Sequence, residues 1–207
     1  MNARKLVATI KNVTRLSTGF LTVNRYELEI EKHAGGTQTR TWEVMERGNS
    51  VGVLGYDPAR DVVVLVNEMR PGALVAGDYP FTDNLVAGGM TEGESALEAA
   101  EREMKEETGL DLHDAQLIHP GAYVSSGGTS EKIALVVGRV DASLAGGIHG
   151  NTNESEDILT VVLPAEEFIA RSRRAEITDL KTLLAAYWLA EHRRARKEWK
   201  WPTTDQS

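Results

Sequence analysis

The chain has no cysteine. That absence excludes a disulfide scaffold, a zinc-thiolate centre and a cysteine nucleophile, and it lends only weak support to a reducing compartment. It also lacks any run of about eighteen apolar residues. The N-terminal MNARKLVATIKNV has no long apolar stretch behind its basic residues, so neither a membrane span nor a signal segment is expected, and a cytoplasmic location is the default. Positive charge is in deficit. With 23 Lys and Arg against 31 Asp and Glu the formal net charge is -8, which argues against broad nucleic-acid binding. The one basic run, His192-Arg193-Arg194-Ala195-Arg196-Lys197, follows Leu180, Leu183, Leu184, Tyr187 and Trp188. That is an amphipathic helix pattern, so these cations are read as opposing the dipole at a helix C-terminus. No internal repeat or low-complexity segment interrupts the chain. Its 207 residues suffice for a substantial core, and one domain with an appendage is expected.

What is present is concentrated between Gly88 and Leu110, in GGMTEGESALEAAEREMKEETGL. Gly88, Glu94, Arg102, Glu103, Glu106, Glu107 and Gly109 stand there at set spacings, with apolar Met104 and Leu110 between and after them. Chance agreement of that many residue types at one start is on the order of one in a billion. Ser95 and Glu98 form a capping box that starts a helix. Strong helix formers fill the interval to Glu107, and Gly109 supplies a stop able to take a positive φ. Leu97, Ala100 and Met104 are expected to face a core. Glu103 and Glu107, four residues apart, share one side of the cylinder with Glu106 adjoining, so three carboxylates face one small volume. Like charges at that spacing repel, and divalent cations would neutralise them.

The chain divides near residue 50, giving an N-terminal subdomain over 1–50 and a main domain over 51–207. Three strands are expected first, over Leu6 to Val13, Phe20 to Lys32 and Thr37 to Glu46, the last two joined by the turn His33-Ala34-Gly35-Gly36. Short apolar strands follow at Val51 to Gly55 and Val62 to Val66, around a turn at Tyr56-Asp57-Pro58. Beyond the acidic helix come strands near Ala115 to Val124, Lys132 to Asp141 and Ile158 to Leu163. A short helix follows Pro164 and a long one starts near Thr178. Mixed strands and helices in this order imply an α/β sandwich. Two loops carry unusual residues. Ser125 to Glu131 is rich in glycine and hydroxyls, suited to bringing backbone amides near an anion or a sugar, and equally to a tight surface turn. Gly146 to Asp157 runs from mobile glycines into clustered acids, the composition of a closing loop or of an acidic linker.

Gly88 to Leu110 matches the Nudix box at every position. The chain resembles the ADP-ribose pyrophosphatase branch of that family from Arg40-Thr41-Trp42-Glu43 to the C-terminal helix. Leu85-Val86-Ala87-Gly88-Gly89 precedes the box as in that branch, Ser126-Gly127-Gly128-Thr129-Ser130-Glu131 is similar to its substrate loop, and Gly147-Ile148-His149-Gly150 with Glu154-Ser155-Glu156-Asp157-Ile158 is similar to its catalytic loop. The resemblance implies an α/β/α sandwich with an N-terminal antiparallel β-sheet, exchanged between two subunits of a homodimer. It implies that the Ala87 carbonyl, Glu103, Glu107, Glu106 more weakly, and Glu156 bind magnesium or manganese, two or more ions per site, with Glu154 as general base. Trp42, Glu43, Arg47, Arg70, Ser126, Gly127 and Glu131 would bind substrate. Trp42 stacks on a nucleobase or packs in the dimer core. Thr82-Asp83-Asn84 departs from the glutamate common before this segment, which bears on sugar recognition. The activity implied is hydrolysis of the ADP-ribose diphosphate bond to AMP and ribose 5-phosphate. Hydrolysis of another nucleoside diphosphate sugar, such as GDP-mannose or ADP-glucose, is the near alternative. A non-catalytic ADP-ribose sensor is a more distant one, disfavoured by the intact acids. No nucleic-acid or membrane partner is implied.

Overall fold

The structure is a computed structural model that describes residues 5–17, 19, 21–150 and 156–195. Two compact units emerge, Met1–Asn49 with Tyr123–Lys132, and Ser50–Ala122 with Ile133–Ser207. Among the described residues no helix is long and apolar enough to cross a membrane.

In the first unit, β1 (Ala8–Arg15), β2 (Thr22–Glu31) and β3 (Thr37–Glu46) form an antiparallel sheet in that order. Its hairpin closes through Gly35 and Gly36, at φ +87° and +75°, conformations in which a Cβ is disfavoured. A bulge interrupts β1 between Ile10 and Asn12. Opposite charges face each other across the strands, Lys11 to Glu29 and Arg25 to Glu43, both at 2.8 Å. The segment from Tyr123 to Lys132 joins this unit through a bridge from Thr129 to Met45.

The second unit is built on a mixed sheet whose strands are apolar on both faces. Its strands are β4 (Ser50–Asp57), β5 (Val62–Met69), β6 (Phe81–Asn84), β7 (Val86–Gly89), β8 (His113–Tyr123), β9 (Lys132–Arg139), β10 (Ile148–His149) and β11 (Ile158–Pro164). The main path runs β10-β11-β5-β4-β9-β8, with β6 on β5 and β7 on β4. Val51, Val53, Val64, Val66 and Val136 pack against Ala99, Ala100 and Met104 of α2 (Ala96–Thr108). Alternate residues Leu54, Val63, Leu65, Leu135 and Val137 pack on the other face. They meet Phe168 and Ile169 of α3 (Ala165–Arg173) and Ala185, Ala186 and Leu189 of α4 (Leu180–Ala195). This alternation makes the α/β/α sandwich that the sequence implies.

Local features of this unit decide where the acids sit. β4 pairs with β5 only from Gly55 to Asp57 and then diverges from it. The wedge between them is filled by β6 against β5 and β7 against β4. Ala87, Gly88 and Gly89 are thereby drawn to the sheet surface on which α2 lies. The expected Tyr56-Asp57-Pro58 turn falls later, at residues 58–61. Tyr56 is a core residue whose hydroxyl donates to Asp61 at 2.7 Å. Asp57 ends the strand by accepting from the amides of Ala59 and Arg60. α1 (Pro71–Ala76), β6, β7 and β10 were not expected, since each is too short to show a period.

Candidate active site

α2 begins and ends on the predicted residues. Ser95 accepts from the Glu98 amide, and the Glu98 side chain accepts from the Ser95 amide. Gly109 caps the C-terminus at φ +71°. A Cβ there would lie 3.1 Å from the ring of His149, whose Nε2 bonds the Gly146 carbonyl at 2.8 Å. The expected core face needs correction. Leu97 is exposed, and the buried side consists of Ala99, Ala100, Glu103, Met104, Glu107 and Thr108. Two carboxylates therefore point inward with the apolar residues. The third does not, for Glu106 is half exposed and pairs with Arg102 at 3.2 Å.

Glu103 and Glu107 are 7% and 4% exposed. Glu107 Oε2 accepts from the Ala87 amide at 3.2 Å. Glu103 lies so close over Gly88 that a Cβ on that glycine would sit 1.9 Å from Oε1. Gly88 is thus required by the acid that covers it. Arg102 braces the arrangement. Its Nε and Nη2 donate to both oxygens of Glu94 at 2.8 and 3.0 Å, Nη1 donates to Glu103 at 2.6 Å, and Nη2 also reaches the Gly89 carbonyl at 2.9 Å. Glu94 in turn accepts from the amide and hydroxyl of Thr91. The Arg102 guanidinium holds the Glu94 carboxyl down at about 2.

The two inward acids behave in the opposite way. Burial pushes the Glu107 carboxyl up to about 8, reinforced by the charges of Glu68 and Glu103 and opposed by the Ala87 amide and Arg70. Burial likewise raises Glu103, with Arg102 opposing and Glu106 and Glu156 adding to the rise. Glu107 lies in the last turn of α2, where the helix dipole adds negative potential. Among the described residues no three acidic or histidine side chains converge closely enough to hold a metal ion as they stand. The donor set nevertheless suits a hard divalent cation. It consists of oxygens only, it is buried, and its mutual repulsion is what such a cation offsets.

Arg70 stands at the end of β5, where it precedes α1. Its Nη2 lies 2.7 Å from Glu68 Oε1. Glu68 was not expected from sequence. The available signal was its place two residues before Arg70, which on a strand puts both side chains on one face. Glu156, after the loop, approaches the same acids, and a Cβ on Gly150 would lie 2.7 Å from its Cβ. Glu154, the expected base, lies outside the described residues. Asn84 is buried, its amide donating to Thr82 O and Oγ1, both at 3.0 Å. Asp83 is tied to Asn67 at 2.6 Å and Arg171 at 2.8 Å. In this chain both residues are part of the packing of β6.

The remaining expected substrate residues belong to the first unit. Arg47 and Glu131 come within 3.8 Å of each other. Ser126 and Gly127 lie in a tight turn in which the Gly128 and Thr129 amides both donate to the Ser125 carbonyl at 3.0 Å. Trp42 is 39% exposed, with the Arg40 guanidinium 5.0 Å from its ring centre. Trp42 and Glu43 are neighbours on a strand and so face opposite sides of the sheet. Glu43 is already engaged by Arg25.

Fold and site together define an α/β protein in which a capped helix holds two buried acids over a glycine turn, with an arginine beside them. The NUDIX domain model matches residues 46–184, and the chain belongs to the Nudix hydrolase family. An Escherichia coli protein named ADP-ribose pyrophosphatase is 38% identical over 158 residues, covering 76% of this chain and 75% of its own length. One of the same name from Haemophilus influenzae is 32% identical over 191 residues, covering 89% and 87%. A protein named GDP-mannose pyrophosphatase from Pectobacterium atrosepticum is 28% identical over 169 residues, covering 82% and 86%. The crystal structure of an ADP compounds hydrolase matches with a TM-score of 0.71 at 22% identity, over 93% of this chain and 98% of that one. That last likeness is one of fold.

Proposed function

We propose that this enzyme hydrolyses the diphosphate bond of ADP-ribose to AMP and ribose 5-phosphate with the help of magnesium or manganese. The observation that carries the proposal is the pair of buried acids, Glu103 and Glu107, closed over Gly88 and Ala87. The 38% identity to a protein named ADP-ribose pyrophosphatase supports the choice of substrate. In this reading Glu103, Glu107 and the Ala87 carbonyl hold the cation, two or more ions per site, with Glu156 added from the loop and Glu106 at the margin. The cation supplies charge neutralisation on the diphosphate and a lower pKa for the attacking water. The protein's own residues do the rest. Arg102 keeps Glu103 turned toward Gly88, Arg70 docks phosphate oxygens with its planar fork, and Glu154 accepts the proton of the attacking water. Trp42, Arg47, Glu131, Ser126 and Gly127 bind the nucleoside end. Glu43, which also pairs with Arg25, joins them. A cytoplasmic homodimer that exchanges its N-terminal sheet belongs to the same proposal. It is supported by the exposed Val7, Ile10 and Val13 at β1, which a lone sheet leaves in water.

The 28% identity to a protein named GDP-mannose pyrophosphatase favours one second reading, hydrolysis of another nucleoside diphosphate sugar. Phosphate released by a coupled phosphatase from a panel of ADP-ribose, ADP-glucose and GDP-mannose, with either metal, separates the two. ADP-ribose is expected to give the highest kcat/KM. A higher value for GDP-mannose would overturn the substrate assignment, and no turnover of any member would favour a sensor.

A further inference from the structure

We infer that Glu68 is the positioning residue that presents Arg70 to a diphosphate. This rests on the reading of the site given above, in which Arg70 docks phosphate. Arg70 is held at its root. Its amide donates to Pro80 O at 2.9 Å, and its carbonyl accepts from Ala73 and Leu74 at 3.1 and 3.3 Å. Only the side chain is left to wander, and ordering a long arginine side chain costs about 2 kcal/mol of rotamer entropy. Glu68 supplies the missing restraint, with Oε1 2.7 Å from Nη2. That contact is an ion pair without hydrogen-bond alignment, since Nη2 has no aligned acceptor. The charge of Arg70 is balanced, and because Nη2 is itself buried, Nε and Nη1 are the nitrogens left to a phosphate. A guanidinium held in place before substrate arrives loses less on binding than a free one.

The position of this acid needs such an explanation. Glu68 lies near Glu107, already a buried acid with Glu103 beside it, and a third carboxylate there is unfavourable unless it has other work. Arg70, 2.7 Å away, is the cation that offsets this acid. Glu68 therefore acts through Arg70.

The experiment compares wild type, Glu68→Ala, Glu68→Gln, Arg70→Ala and the Glu68→Ala/Arg70→Ala double variant. Methylenediphosphonate affinity is measured by calorimetry beside ADP-ribose kinetics. Mn2+ affinity is read by electron paramagnetic resonance on protein without phosphate ligand. Glu68→Ala is expected to weaken methylenediphosphonate and raise KM by roughly tenfold, the scale of immobilising one rotamer-rich side chain, with kcat changed much less. Glu68→Gln, which keeps the shape of the side chain but not the charge that holds Arg70, should lose about as much as Glu68→Ala while binding Mn2+ within about threefold of wild type. Removing Glu68 should add nothing once Arg70 is gone. An effect of Glu68→Ala that persists in the Arg70→Ala background, or a loss of Mn2+ affinity in Glu68→Gln, would make Glu68 a direct cation ligand and overturn the inference. Unaltered methylenediphosphonate binding in Glu68→Ala would also overturn it. Failure of the ADP-ribose reading alone appears as diphosphonate binding without ADP-ribose turnover.

Discussion

Gly88 and Glu103 explain each other. A side chain at 88 would occupy the volume of the Glu103 carboxylate, with its Cβ 1.9 Å from Oε1. Glu103 cannot retreat, because Arg102 holds it at 2.6 Å and the core lies behind it. Gly88→Ala should therefore displace the acid while leaving the helix folded. We expect circular dichroism like that of wild type and a loss of activity of roughly 10²-fold or more, the scale of a displaced catalytic group. Near-normal activity would remove Glu103 from the site. A second residue-scale case is structural. Asp57 is 2% exposed and accepts four bonds. Oδ1 takes the amides of Ala59 and Arg60, and Oδ2 takes the Arg60 guanidinium and the Ala142 amide, at 2.9 to 3.2 Å. Burial alone would raise its carboxyl, but these donors outweigh it and hold the group below its ordinary 3.8. Because the folded value is the lower one, the stabilisation is complete above about pH 4 and is lost as pH falls through the folded value. Asp57→Asn turns an N–H toward two donors. It should cost roughly 2–3 kcal/mol at pH 7, a Tm drop of about 5–10 °C, and flatten the acid limb of the stability curve. An unchanged acid limb in thermal melts from pH 3 to 7 would contradict this.

At the scale of elements, α2 was the most legible part of the chain, because its capping box and its glycine stop are local signals. Its buried face was less legible. Periodicity ranks apolar residues and so pointed to Leu97, whereas the inward side is shared by Met104 with Glu103 and Glu107, acids that a hydrophobic pattern counts as solvent-facing. The three N-terminal strands were legible from alternation and the Gly35-Gly36 turn. β6 and β7, four residues each, were not, although they bring Ala87 and Gly88 to the helix. Nor was Glu68, since its pairing depends on β5 running to Met69. Gly109 joins two elements, ending α2 and lying against His149 of β10. Gly109→Ala should cost about 1–2 kcal/mol for the positive φ, and more for crowding the ring. The check is a chemical denaturation midpoint, and a variant as stable as wild type would mean that the ring moves freely.

At the scale of the whole molecule, the proposed function assigns roles to residues of both units. An isolated three-stranded sheet with apolar residues in water is marginal alone, and exchange between two chains would bury it. The expectation is a homodimer at micromolar concentration. Ile10→Lys or Val13→Lys should weaken it, as measured by light scattering, with ADP-ribose KM rising in parallel. A stable monomer with full activity would rule out a shared site and leave Trp42 and Arg47 without the proposed role.

In the proposed function Glu107, buried over the Ala87 turn, works with a divalent cation to cleave the ADP-ribose diphosphate. Glu107→Gln keeps the size of the side chain and removes its charge, and an amide is a poor ligand for a hard cation. The decisive measurement is the formation of AMP and ribose 5-phosphate from ADP-ribose across a magnesium titration, wild type beside Glu107→Gln. Wild type should yield the two products in equal amounts only when magnesium is present, and the variant should be slower by roughly 10²-fold or more even at saturating metal. Equal rates for the two proteins, or wild-type turnover that persists in a chelator, would contradict it.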